Sequence, residues 1–286
     1  MKRWITALAL MLGCSPGFAA IALVQVQTAA NVFAVSNAVT FASPVSAGDF
    51  VGVQIVNYYG GGQCAPGPSS VTDSSSDTAT ELGTWVSSTG NYCTGVYYFV
   101  VSAGSSSFSI TVNFASSSNI ALIGFDYSGV STTSPIDGSP SGWSSGTGTS
   151  ATTTALTPAQ TGDQQLAFVI AGNTVTYSGW SGSLASRATV VGNGPIGALA
   201  DASIATGAVT ASVTLNTSLP WSMQQVLLHP AVTTSSCTHD GYSSGGAFAV
   251  PNGTSGSYWL KNGTFGTPNC SSVDYWQPTV GNFNTN

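Results

Sequence analysis

Apolar and polar residues alternate with a period of two along most of this chain. The clearest run interleaves Phe108, Ile110, Val112 and Phe114 with Ser109, Thr111 and Asn113. Ala211, Val213 and Leu215 repeat it around Ser212, Thr214 and Asn216, and Val51, Val53 and Ile55 alternate with Gly52 and Gln54. Successive side chains of a strand point to opposite faces, so this period predicts half-buried β-strands. Further strands are expected at 21–27, 35–42, 94–101, 120–127, 165–171, 188–191, 199–205 and 223–229. Each is rich in β-branched or aromatic residues and bounded by Gly, Ser, Asn or Pro. No stretch sustains the 3.6-residue apolar stripe of an amphipathic helix. The expected fold is all-β, an antiparallel β-sandwich of jelly-roll or immunoglobulin-like type.

The pattern also echoes itself. Residues 104–113 align with 207–216 without a gap, from Gly104 on Gly207 to Asn113 on Asn216. Gly48-Asp49 leads into the strand at 51–55, as Gly162-Asp163 leads into the one at 166–170. Internally duplicated halves are therefore expected at 21–130 and 151–231. A Ser/Gly/Thr/Pro-rich crossover loop at 131–150 would join them. The halves could interleave into one sandwich or stand as two in tandem. One is preferred, because neither half obviously carries seven strands. From 232 to 286 the strand signal weakens, and a small Cys-bridged C-terminal unit is expected. At about 50 residues such a unit needs stapling or docking.

The N-terminus bears on compartment. Lys2-Arg3, an apolar run over 4–12 and the small-residue site Gly17-Phe18-Ala19-Ala20 have the layout of a signal peptide over 1–20. The apolar run falls short of the roughly 20 residues that span a bilayer. Met11-Leu12-Gly13-Cys14 also loosely fits a lipoprotein signal. Four cysteines follow: Cys64, Cys93, Cys237 and Cys270. Four allow three connectivities, and sequence order favours Cys64–Cys93 and Cys237–Cys270. No pair has the close spacing of a zinc knuckle. A secreted or extracellular location, on a cell or virion surface, follows as the expectation.

Charge narrows the partners. The sequence has 4 basic and 10 acidic residues, and beyond the signal only Arg187 and Lys261 are cationic. Two cations cannot neutralise a phosphate backbone or an anionic leaflet, so nucleic acid is not expected as a partner and attraction to anionic membranes is disfavoured. The expected partners are a glycan or cell-surface component, or copies of the chain itself.

Candidate chemistry is sparse. His229 ends a strand and His239-Asp240 follows Cys237, but no Gly-x-Ser-x-Gly elbow opens a helix, and a catalytic triad is not expected. Glycoside hydrolysis, which uses two facing carboxylates, is the third-ranked function. Glu81 is the sole glutamate, and Asp126 is expected on a solvent face. Asp73, Asp77 and Glu81 could offer oxygens to calcium, yet lack EF-hand spacing and read first as turn residues. Asp137-Gly138 reads as a turn too. No metal site and no cofactor are expected. Trp85, Trp180 and Trp221 read as core. Tyr58-Tyr59, before a triple glycine, and Trp143, in a Ser/Gly loop, are the candidate ligand-binding aromatics, because sugar C–H faces stack on exposed rings.

Three segments carry a resemblance: Val71-Thr-Asp73 through Val96-Tyr-Tyr-Phe99, the run from Ile120 to Val130, and Thr133-Ser-Pro-Ile-Asp137-Gly138. Together they resemble bacterial and phage-associated extracellular β-sandwich proteins. The resemblance implies an adhesive or structural surface protein and transfers no catalytic residue. The expected function is a non-catalytic surface adhesion or carbohydrate-binding module. The alternative is a structural subunit of an extracellular filament, coat or virion.

Overall fold

The computed structural model describes residues 17–59, 67–87, 92–172, 175–192 and 194–233, with the backbone of 258–259 and 265–266. Its strands are β1 (Gly17–Phe18), β2 (Ala22–Thr40), β3 (Phe50–Tyr58), β4 (Ser70–Asp73), β5 (Thr80–Glu81), β6 (Val86–Ser87), β7 (Tyr92–Val100) and β8 (Ser109–Ser128). There follow β9 (Ser144–Thr152), β10 (Gln164–Ala171), β11 (Tyr177–Ser178), β12 (Ala185–Val191), β13 (Ile196–Ser203), β14 (Ser212–Leu228) and β15 (Val232–Thr233). Among the described residues there is no helix. Residues Phe18–Ala231 form one unit, and Met1–Gly17 with Val232–Asn286 another. In the latter, β16 (Tyr258–Trp259) pairs antiparallel with β17 (Phe265–Gly266).

The larger unit contains two open antiparallel sheets in a β-sandwich-like arrangement. The first runs β2-β8-β3-β7-β5, with β4 also on β8 and β6 on β7. The second runs β11-β14-β10-β13-β12, with β9 also on β14. Both are wired alike: β3 lies between β8 and β7, and β10 between β14 and β13. Gly48 and Gly162, at φ 88° and 93°, make the turns into these central strands, a backbone region where a side chain would be strained.

The period-two pattern sorts side chains between cores. On β3, Val51, Val53 and Ile55 enter an outer core with Ile110, Val112 and Phe99, while Phe50 and Val56 enter the core between the sheets. On β10, Ala167, Val169 and Ala171 face a second outer core, while Leu166, Phe168 and Ile170 face the shared one. The alternation in β3 therefore marks two buried faces, not the expected half-burial. The outer cores are closed by β8 and β14, each of which bends at three exposed residues, 115–117 and 216–218. The strands expected separately at 108–114 and 120–127 are thus one bent strand, as are 211–216 and 223–229. The β2 partner of β8 bends with it at Phe33, joining the segments expected at 21–27 and 35–42.

The sheets meet through the Phe125 and Phe168 rings, 5.6 Å apart, and through Gln54 Nε2, which donates to the Val169 carbonyl at 3.1 Å. Burying each such large apolar side chain contributes roughly 1.5–3 kcal/mol. The contact requires glycine at Gly52, where a Cβ would run into the Phe125 ring and lie 2.9 Å from the Tyr97 carbonyl. Gly52→Ala is expected to cost about 1–3 kcal/mol by overpacking. Urea unfolding should show a lower midpoint at unchanged slope. Gly142→Ala, with open space around its Cβ, should leave the midpoint in place.

The crossover is a correction. Residues 131–150 are not all loop, because β9 begins at Ser144 and pairs with β14. It has no apolar face to announce it. Its place depends on ladder hydrogen bonds and on the Trp221 ring, which packs against Gly146.

Candidate functional site

The expected ligand-binding aromatics sit in different surroundings. Tyr58 ends β3 half-buried, its ring 5.6 Å from that of Tyr92, and Tyr59 beside it is also half-buried. Burial, then the neighbouring Tyr58 hydroxyl, push the Tyr92 phenol upward. Trp143 is half-buried and packs on the inter-sheet core, although its sequence neighbours are Ser and Gly. Its indole N–H is shielded from water and meets no acceptor.

The acids considered for calcium are partly separated. Asp73 accepts the Asp77 backbone N–H at 2.8 Å, a turn-type hydrogen bond, and Asp77 accepts the Ser102 N–H at 3.2 Å. Burial raises the Asp73 carboxyl, the Asp77 backbone N–H pulls it back down, and the Asp77 carboxylate adds to the rise. Glu81 lies instead beside Tyr97, whose phenol is pushed up to about 12 by burial and then by that carboxylate. Cys93 is wholly buried on β7. Cys14, Cys64, Cys237, Cys270, His239 and Asp240 lie outside the described residues, as does almost all of the segment expected as signal peptide.

Asp126 corrects an expectation. It is wholly buried on β8, not on a solvent face, because both faces of β8 are covered there. One oxygen accepts from Gln25 Nε2 at 3.1 Å and the other has no partner. A second buried acid, Asp201 on β13, accepts the Tyr127 hydroxyl at 2.6 Å and pairs with Arg187 of β12.

The arrangement richest in chemistry is one that sequence reading did not assemble. Asp137, Asp163 and His229 bring one ligand-type atom each within 4.8 Å of the others. Asp163 precedes β10 and His229 follows β14, and the adjacent Gln164 and Leu228 are partners in the ladder. Asp137 arrives from the crossover, held by its N–H on the Leu227 carbonyl at 2.9 Å and by the bridge from Ile136 to Leu228. Its Oδ2 accepts the Ala159 N–H. Asp163 is wholly buried, and neither oxygen receives a well-formed hydrogen bond. Burial first, and then the Asp137 carboxyl beside it, push Asp163 up to about 7, with the nearby Gln160 amide pulling the other way. The Gln160 amide nitrogen lies 3.2 and 3.1 Å from the two His229 ring nitrogens. Two carboxyls and an imidazole in this setting can share a proton or hold a cation. Each had been visible only as a turn or a strand end.

Comparison with known proteins returned no match to a family model, a curated protein or a solved structure.

Proposed function

We propose that the chain is an exported, non-catalytic structural module of an extracellular filament, coat or virion, which joins copies of itself along β2. The observation that carries this reading is the open edge of that strand. β2 is 19 residues long and pairs with β8 on one side, and no strand pairs with its other side among the described residues. It contains no charged residue and no proline. Soluble monomers usually blunt long edges with such residues, since an edge presents free N–H and C=O groups to any other strand. Val24, Phe33 and Val35 are exposed along it. Phe33 also has φ 50°, a strained conformation for a bulky residue, where the ladder with β8 shifts register between Asn31 and Ala34. Bulges interrupt the strand near both ends of 25–31, leaving that run regular and suited to strand addition. An uncharged edge suits a second copy, because pairing desolvates no ion.

The shared wiring of the sheets and the 104–113/207–216 echo support descent from a duplicated half. The arrangement is read as jelly-roll or immunoglobulin-like. Bridges Cys64–Cys93 and Cys237–Cys270, and a signal peptide at 1–20, complete the proposal. The likeness to bacterial and phage surface proteins agrees with it.

Sedimentation of the mature chain over a wide concentration range tests the edge. Wild type is expected to self-associate. Val24→Lys/Val35→Lys should weaken association at least roughly tenfold at an unchanged melting temperature, since both side chains already face water. A wild type that stays monomeric at millimolar concentration would sink the reading. A second reading, adhesion to a neutral glycan through Tyr58, Tyr59 and Trp143, is favoured by the half-exposed tyrosine pair at the end of β3. A glycan array with Trp143→Ala at low and high salt separates the two.

A further inference from the structure

We propose that Asp137, Asp163 and His229 bind one divalent cation of the zinc class. Each supplies a ligand atom, and the ion fastens the crossover after β8 to the corner where β10 begins and β14 ends. The first support is electrostatic. Asp163 is wholly buried without a well-formed hydrogen bond, and its oxygens face a second carboxyl and an imidazole. A buried carboxylate is tolerated when a cation or full hydrogen bonding compensates it. Arg187 is the only Lys or Arg among the described residues, and it is committed to Asp201. Among the described residues no Lys or Arg is left over for this pair of acids.

The second support is the donor set. Two carboxylates and one imidazole suit a borderline ion such as zinc, which takes nitrogen and oxygen ligands in sets of three or four. Calcium takes 6–8 oxygens and gains little from an imidazole. Asp137 keeps one oxygen for the Ala159 N–H and has the other to offer. With one ring nitrogen of His229 on the ion the other carries a proton, and the Gln160 amide, whose nitrogen now lies against both ring nitrogens, would turn its oxygen toward the ring to accept that N–H. Such a hydrogen bond to the far side of a ligating imidazole fixes the ring orientation. Asp137 and His229 are half-buried, so an ion can enter from solvent.

The test uses the mature, oxidised chain, stripped with EDTA, dialysed, and titrated at pH 7 with zinc chloride alone and, in parallel, calcium chloride alone. Calorimetry should show one zinc per chain. The melting temperature should rise with zinc and stay put with calcium. Asp137→Asn, at a half-buried position where folding is least at risk, and His229→Gln should each lose zinc affinity. The loss should exceed the roughly 10–100-fold cost of removing a group that is merely hydrogen-bonded to a ligand. Cobalt in place of zinc should give an absorption spectrum without thiolate charge transfer, which separates this site from the cysteines. The proposal is overturned if no stoichiometric zinc binds, as it would be were the acids simply sharing a proton. It is equally overturned if both variants bind as wild type does, or if cobalt reports thiolate ligands.

Discussion

Arg187→Met should lower the stability of the larger unit by about 3 kcal/mol at pH 7, the low end of the cost of stranding one partner of a buried ion pair. The low end applies because 39% of the Arg187 side chain reaches water, whereas Asp201 is 0% exposed. Asp201 also takes the Tyr127 hydroxyl at 2.6 Å, and Tyr127 belongs to the first sheet while Asp201 and Arg187 belong to the second. The carboxylate therefore ties the sheets together inside their shared core. Burial first, and then that carboxylate, raise the Tyr127 phenol far above its ordinary range, so it stays a donor at any working pH. Tyr127→Phe removes a hydrogen bond to a charged group and should cost roughly 1.5–3 kcal/mol. Thermal unfolding checks both, with about 2–4 °C expected per kcal/mol in a unit of this size. Adding Asp201→Asn to Arg187→Met removes the stranded charge and should recover part of the loss. A double variant less stable than Arg187→Met would mean that the carboxylate is held by something other than Arg187.

Much of the strand content was legible because a two-residue period needs only local sequence. What the period did not reveal was how many layers lie against each strand. Gln54 and Gly52 alternate with Val51 and Val53 as solvent-facing residues would, yet they face the other sheet. The bends were hidden too. The residues at 115–117 and 216–218 are the exposed Ser/Ala/Asn/Thr stretches that usually separate two strands, and here they are the corner of one. β9 was illegible for the opposite reason. It is a Ser/Gly/Thr strand, ordered by its partner β14 and not by a buried face of its own.

The candidate site fails the same way at longer range. Asp137 comes with a turn glycine, Asp163 with another, and His229 with a following proline, so each has a sufficient local explanation. Only the pairing of Gln164 with Leu228, a tertiary fact, sets two of them side by side. Trp143 shows the converse. A Ser/Gly neighbourhood implied an isolated ring, but its apolar company comes from other strands.

Acidification should stabilise the fold through Asp126. Burial is the main cause that pushes this carboxyl from 3.8 up to about 6. Gln25 pulls it down, and Asp49, itself raised by burial, pushes it up further. The folded chain thus holds a proton between pH 4 and 6 that the unfolded chain has released. The corresponding stability is fully present below the unfolded value and is lost as pH rises through about 6. Above that the folded state carries a buried charge at a constant cost on the order of 3 kcal/mol, from 1.36 kcal/mol for each step of one in pKa. Going from pH 7 to 5 should recover roughly 1 kcal/mol, with most of the rest returning by pH 4. Other acids titrate over this range, so the measurement is a difference: denaturant unfolding of wild type against Asp126→Asn at pH 7, 6, 5 and 4, in metal-free buffer. The variant keeps an oxygen for Gln25 and has no charge to lose. Wild type should gain on it steadily as the pH falls. Parallel curves would show that Asp126 is solvated or paired well enough to ionise at its ordinary value, and that the covered face of β8 is open to water there.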